Sequence, residues 1–335
     1  MVATAPLTLD PGFVRVRTLY SGISAGTELT AFLGSNPYLR HRWDAERRLF
    51  VPGEPTLTYP VVGWGYEEVG EIVEAGEGVS EPAVGERVWG IWGHRGDGVL
   101  PAAVARAQRI PPGADIRAGV FARVGAVALN AVIEADVHVG ETVAIFGQGV
   151  IGLLATKLAQ LSGAEVVAVD AAKERLDVAT RFGADHVVLA PTESAAEFVR
   201  ELTGGRGADV CIELSGAYPA LHEAVRTVCY SGRVVASGFY QGGAGALQLG
   251  YEFHHNRVEI VGSQISGPPA RYAHRWTKDR LHADFVRMAV TGRVDPLPLI
   301  TDTVPVADVQ QAFETLAAGD PATLQVLLDF SKETA

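Results

Sequence analysis

The sequence predicts an α/β protein in which a doubly wound parallel sheet is joined to a second, β-rich lobe. Three observations carry this. The run Val143-Ala144-Ile145-Phe146-Gly147-Gln148-Gly149-Val150-Ile151-Gly152 is a buried-strand pattern that breaks into a glycine turn and opens a helix. From there to about residue 263, apolar strands alternate with helical segments, the pattern of a parallel sheet. From Pro11 to Val104, short alternating segments such as Phe13-Val14-Arg15-Val16-Arg17 and Glu71-Ile72-Val73-Glu74 are separated by Gly/Pro turns.

In chain order, the lobe ends with a compact β piece, Gly85-Glu86-Arg87-Val88-Trp89-Gly90, and a loop holding His94 and Arg95. The pattern turns helical over about 114–139. Strands are expected at 141–147, 165–170, 186–189, 208–213, 232–237 and 258–263, with helices at 149–162, 173–182, 194–202 and 218–229. After Pro268-Pro269 an Arg/His/Trp-rich stretch leads to a helix over 279–291. The last segment, 296–329, holds one helix at 306–318 among short strands; too small to fold alone, it is expected to complete the first lobe. The boundaries expected are 1–115 with 285–335 for the β-rich lobe and 116–284 for the sheet domain.

The glycine turn gives the sheet domain a ligand. Gly147 permits a tight turn, Gly149 lets backbone amides approach a pyrophosphate, and Gly152 lets the helix pack on its strand, while the helix N-terminus presents partial positive charge. This is the Rossmann fingerprint, and Gly147, Gln148, Gly149, Val150, Ile151 and Gly152 are the expected dinucleotide cradle. Asp170 closes the next strand, where a carboxylate accepts from a free ribose 2′-hydroxyl and repels a 2′-phosphate. NAD is therefore expected over NADP, although Arg175, one turn further, suits either. Ser215, Ser237, Gly238 and Ser263 fall at the carboxyl tips of later strands, the edge where such sheets bind ligands. The bland alternative is an ordinary βαβ unit without ligand.

The chain has 335 residues, 47% hydrophobic and 20% charged, enough for two globular domains. A net charge of −11 argues against polyanionic partners such as nucleic acid or anionic membrane. No uninterrupted spanning segment and no signal peptide are read, so a cytoplasmic protein is expected. Cys211 and Cys229 read as small core fillers rather than disulfide or metal ligands. The His254-His255 pair reads as solvated or packed, since adjacent residues point apart.

Gly22-Ile23-Ser24 with Gly26-Thr27-Glu28-Leu29, Tyr59-Pro60-Val61-Val62-Gly63, Gly65-Tyr66-Glu67-Glu68-Val69-Gly70-Glu71-Ile72, Gly85-Glu86-Arg87-Val88 and the Gly147 motif lie in a characteristic order. Over nearly the whole chain this resembles the medium-chain dehydrogenase/reductase superfamily, and within it a branch that includes bacteriochlorophyllide dehydrogenases. The resemblance implies a GroES-like β lobe beside the Rossmann domain. It also exposes departures. Where zinc members carry Cys, His and a third Cys, Glu or Asp, this chain has Ser24 (or Ala25), Tyr66 and the stretch Ala122-Arg123-Val124. Hydroxyls are poor zinc donors, and the four closely spaced cysteines of a structural zinc lobe have no counterpart, so no metal is expected. The lead into Val14 from Met1-Val2-Ala3-Thr4 is shorter than in relatives, implying a trimmed lobe or a misassigned start.

Without zinc, a protein group must stabilise a developing alkoxide. Tyr66 is the first candidate, as a phenol of lowered pKa, against a tyrosine packed in a wall. His94 is the second, against a solvated loop histidine. Glu67 either binds substrate or forms a structural pair with Arg123. Asn130 either bonds substrate or cofactor or satisfies backbone. Ser24 and Thr27 either relay a proton or cap a turn. Trp43, Trp64, Trp92 and Tyr38 suggest an aromatic pocket or simply core. The leading expectation is a zinc-independent NAD(H) oxidoreductase interconverting a secondary alcohol and a ketone on a polar small molecule. The alternatives are an NAD(P)H-dependent enoyl reductase and a non-catalytic NADH-binding protein. A homodimer is expected, through the last strand of the sheet.

Overall fold

The computed structural model describes residues 7–332. The chain forms two compact units: one runs to Ala122 and resumes at Leu297, and the other spans Arg123–Pro296. Met1–Thr4 lies outside the described residues.

The first unit opens with β1 (Phe13–Ile23) and α1 (Ala25–Phe32), followed by the small antiparallel pair β2 (Arg42–Asp44) and β3 (Leu49–Val51). Next come β4 (Glu68–Ala75), β5 (Arg87–Gly90), β6 (Asp97–Pro101) and α2 (Ala102–Ala107). Strand β1 shows why this lobe is legible: Val14 and Val16 are fully buried while Arg15 bonds outward to Glu74 and Asp97.

The second unit holds α3 (Ala122–Ala135), β7 (Thr142–Phe146), α4 (Val150–Leu161), β8 (Glu165–Asp170), α5 (Lys173–Arg181), β9 (His186–Leu189) and α6 (Ala195–Leu202). It continues through β10 (Ala208–Glu213), α7 (Tyr218–Thr227), β11 (Val228–Ala236), β12 (Glu259–Gly262) and α8 (Lys278–Val290). Its sheet order is β12-β11-β10-β7-β8-β9, with every pairing parallel. Counted from β7 this is the 3-2-1-4-5-6 order of a doubly wound sheet, whose ligand crevice opens at the carboxyl ends of the strands beside β7 and β10.

The chain then returns as β13 (Ile300–Pro305), α9 (Val309–Ala318) and β14 (Gln325–Asp329). Strand β14 pairs antiparallel with β1, so the last segment completes the first lobe as expected, giving the order β13-β14-β1-β4-β5 with β6 also on β1.

Several differences are physical. The unit boundaries lie later than 115/116 and 284/285: a 3₁₀ turn, Ile116–Phe121, buries Val120 and Phe121 against β1, β4 and β5, and α8 stays whole within the second unit. Strand β11 starts at Val228, inside the helix expected over 218–229, because Val228 is fully buried beside Ala208; the strand then bends at Ser231, whose φ is +56°. One helical stretch, 116–135, is long and apolar enough by length and composition to span a membrane, but Arg117, Arg123 and Glu134 interrupt it and 72% of its apolar window is buried, as in a core helix. Cys211 and Cys229 are both free thiols.

Candidate active site

In the first unit the end of β1, the start of α1, the 63–68 turn and the His94 loop bring seven polar residues together. Ser24 is the N-cap of α1, but its side chain does not cap. Instead Glu28 reaches back to the Ser24 amide at 2.9 Å, which leaves the Ser24 hydroxyl to accept the Tyr66 O–H at 2.5 Å. Glu28, fully buried, meets His94 Nε2 at 2.6 Å with its other oxygen. His94 Nδ1 lies 2.7 Å from Ser21 Oγ, which donates to Glu68 at 3.1 Å. Both ring nitrogens of His94 are thus engaged, Nε2 with Glu28 and Nδ1 with Ser21, and their donor and acceptor roles follow the ring's tautomer and charge. Burial pulls its pKa down, but the bond to Glu28 and the charges of Glu28 and Glu68 outweigh this, and the net shift is upward.

Glycines make the room. A Cβ on Gly65, at φ +105°, would stand 2.9 Å from the His94 ring, and one on Gly22 would stand 2.5 Å from Glu67 Oε2. Glu67 is 1% exposed, and neither carboxyl oxygen has a hydrogen bond of normal geometry, although Gln325 and Ser24 lie alongside. Burial first, then the neighbouring charges of Glu28 and Glu68, push its pKa well up. Glu68 is also raised by burial, against the backbone bond from Trp92 at 2.7 Å.

Two expectations are corrected here. The Tyr66 phenol is not of lowered pKa: burial, followed by Glu67 and Glu28, raises it, so it stays protonated and acts as a donor. His94 is not a solvated loop residue, because its side chain is 12% exposed and fully bonded. Arg123 lies against His282 at 3.4 Å in the second unit, while the Glu67 oxygens carry no such pairing. Of the aromatics, Trp92 bonds Thr18 at 2.8 Å, and Tyr38 and Trp43 pack on Phe50, so these three form local packing.

In the second unit the glycine turn has the expected form. Gly147 has φ +87°, and a Cβ on Gly152 would lie 1.8 Å from the Gly147 carbonyl oxygen. A Cβ on Gly149 would meet nothing within 4 Å, which leaves open space at the N-terminus of α4. That vacant approach beside the Val150 and Ile151 amides fits a pyrophosphate. The Gln148 side chain is fully buried, donating to Ile145 O at 2.9 Å and accepting from Thr156 at 3.0 Å; it holds the turn rather than facing a ligand. Asp170 accepts from the Gln148 amide at 2.5 Å and the Ala172 amide at 2.9 Å, so its carboxylate is pinned at the tip of β8. Arg175 is partly exposed on α5.

Asn130, 2% exposed, donates to Gly267 O at 3.2 Å and to Ser263 Oγ and Gln264 O at 3.4 Å, and its Oδ1 is buried without a partner. Ser237 Oγ donates to Ser263 O at 3.2 Å. Gly238 packs so closely that a Cβ would stand 2.3 Å from the Gly216 amide. Thus Asn130, Ser237, Gly238 and Ser263 gather at the tips of β11 and β12.

Sequence reasoning missed Glu213, which is fully buried at the end of β10. It accepts the Ser215 amide at 2.7 Å, the Ser215 and Tyr240 hydroxyls and the Gly216 amide at 3.2 Å, and so ties down the Ser215 loop. An acid ending the apolar run Val210-Cys211-Ile212 was its signal. Ser21, Glu28 and Glu68 were also missed as site residues. Adjacent Glu67 and Glu68 at the start of a strand must point to opposite faces, so a buried carboxylate was legible there.

A family model described as zinc-binding dehydrogenase matches residues 150–278. A D-guloside 3-dehydrogenase of Shigella flexneri is 30% identical over 307 residues, covering 90% of this chain and 87% of that protein. A protein of Sinorhizobium meliloti 1021 solved bound to NADP has a TM-score of 0.75 at 22% identity, covering 96% of this chain and 93% of its own. A dehydrogenase of Escherichia coli CFT073 solved with NADH has a TM-score of 0.74 at 23% identity, covering 97% of this chain and 94% of its own.

The residues present fit the two groups these proteins suggest unequally. The glycine cradle and Asp170 suit a nicotinamide dinucleotide. Zinc finds no such set: a protonated phenol and a serine hydroxyl bonded to each other occupy two positions of its resembled ligands. Among the described residues, no group of three His, Cys, Asp or Glu is placed to hold a metal ion.

Proposed function

The chain belongs to the medium-chain dehydrogenase/reductase family of zinc-binding dehydrogenases, and from that premise we propose that it is a zinc-independent, NAD(H)-dependent oxidoreductase interconverting a secondary alcohol and a ketone. The observation that carries this reading is the Tyr66–Ser24 hydroxyl pair at the place of zinc ligands. A ketone reduced by hydride needs a proton for its oxygen. Tyr66 O–H donates to Ser24, and Ser24, free of capping duty, gives its own proton to the ketone oxygen as it takes the tyrosine's; the tyrosinate regains a proton from water, and the same steps run backwards for alcohol oxidation. His94, bonded to Glu28 on one side and to Ser21 on the other, braces this corner. When bound, the nicotinamide ring supplies or accepts the hydride.

Our preference for NAD rests on Asp170, whose pinned carboxylate suits a free ribose 2′-hydroxyl and repels a 2′-phosphate. The relative named a D-guloside 3-dehydrogenase supports a polar substrate such as a sugar, cyclitol or secondary-metabolite intermediate. The branch resembling bacteriochlorophyllide dehydrogenases rests on the motifs around Ser24 and Tyr66 alone. We place the enzyme in the cytoplasm, where its two free thiols suit a reducing milieu. The edge strand β12, paired on one side only with β11, is the proposed homodimer contact.

The test is cofactor oxidation against matched cyclic ketones and cyclic enones, with NADH and NADPH in parallel. Ketone turnover with NADH preferred by about tenfold or more is expected, one hydrogen-bonded charge being worth about 1.5–3 kcal/mol. Turnover of enones alone would make the chain an alkene reductase, and NADH binding without turnover would make it a non-catalytic binder.

A further inference from the structure

A cavity of about 400 Å³ opens in the second unit at the C-terminal end of α4, the end remote from the glycine turn. Its floor is apolar, built from Leu129 and Val132 of α3 and Leu158 of α4, all buried. Arg275, Arg280 and Arg293, all exposed, also line it. In a chain of net charge −11, three cations around one opening call for a reason.

Only part of that charge is paired within the chain. Arg280 pairs with Asp284 at 3.1 Å and lies over the Trp276 ring at 4.2 Å. Arg275 stacks on Tyr272 at 4.5 Å, which orients its planar fork without neutralising it. Asp136, the acid lining the cavity, accepts the Tyr272 hydroxyl. Among the described residues, no carboxylate pairs with Arg275 or Arg293. A purely polar anion would leave the α3–α4 floor uncovered, and a purely apolar molecule would leave both guanidinium forks to solvent. A ligand with both parts engages the two surfaces.

We propose that this cavity binds an amphipathic monocarboxylate, its apolar body on the Leu129–Val132–Leu158 floor and its carboxylate between Arg275 and Arg293. The site lies some way from the dinucleotide cradle, since the 12 residues of α4 span about 18 Å. Occupancy is therefore compatible with cofactor binding.

Isothermal titration of the full chain with octanoate, and with acetate and octan-1-ol as controls, tests the proposal. Octanoate should bind with an affinity at least about tenfold above either control, and equally well in the presence of saturating NADH. Arg275→Ala/Arg293→Ala, a change at two exposed side chains, should cut octanoate affinity by about tenfold or more while leaving the NADH Kd unchanged. No octanoate binding, octan-1-ol binding as tightly as octanoate, displacement of octanoate by NADH, or an unaltered affinity in the double variant would each overturn it. The acetate and octan-1-ol arms need no variant, so the test stands whether or not the substituted protein folds.

Discussion

Tyr66 and Glu67 are adjacent, and the pKa of each is raised by the same leading cause, burial, with the negative charge of Glu28 adding to it. Their roles still separate. Tyr66 has an O–H committed to Ser24, whereas Glu67 has no hydrogen bond of normal geometry and packs against Gly22. The phenol is therefore the better proton carrier. Tyr66→Phe removes one oxygen and keeps the ring, so ketone reduction should lose about a hundredfold in kcat with KM little changed. A purely structural tyrosine would leave kcat intact and lower the melting temperature instead. The residue types at this corner were legible in the sequence, since Ser24, Tyr66, Glu67 and His94 stood out there as candidates. Their pairing was not. The bond between His94 and Glu28 joins residues far apart in the chain, and only the fold of the 63–68 turn over Gly65 leaves space for the imidazole.

At the scale of elements, α4 is where sequence and structure agree most closely. Its strand–turn–helix unit depends on three glycines with different duties. Gly147 adopts a positive φ, Gly149 leaves an approach open, and Gly152 allows helix and turn backbones to touch. Gly152→Ala would place a methyl inside the Gly147 carbonyl, a collision with backbone that cannot be relieved by a rotamer. It should cost about 1–3 kcal/mol or more and abolish NADH binding, read by urea unfolding and by quenching of protein fluorescence. Normal NADH affinity in that variant would show that the cradle lies elsewhere. Parallel strands such as β8 and β10 were readable because both faces are buried and the apolar runs are continuous. Helices α1 and α2 escaped notice, since each is short and lies in a stretch dominated by β-alternation and turns. The missed α1 mattered most, because its capping by Glu28 is what frees the Ser24 hydroxyl.

Across the whole molecule, the buried ionisable groups set a pH dependence of stability. His94, Glu67, Glu68 and Glu213 all have pKa values raised in the folded state, so the native protein holds their protons more tightly than the unfolded chain. Stability from such groups is complete below their unfolded pKa values and is lost as pH rises through the folded ones. His282 opposes them: burial, and then Arg123 and Lys278, push its pKa down to about 4, so its contribution is lost as pH falls from about 6.5. The three carboxyl groups therefore give up stability as pH rises above about 4.3, and His94 as it rises above about 6.5, so the unfolding free energy should fall on the alkaline side. Urea midpoints that keep rising from about pH 7 to pH 9 would contradict the raised pKa values around His94. The chain forms two units, and the chemistry proposed for it is confined to one corner of the first, where hydroxyls would stand in place of soft and imidazole donors. The most direct measurement is NADH-driven reduction of a cyclic ketone by protein stripped with 1,10-phenanthroline, with bound metal quantified by plasma mass spectrometry on the same sample. Full turnover with zinc far below one per chain is the predicted result. Activity that disappears with the metal and returns on adding zinc would contradict the account.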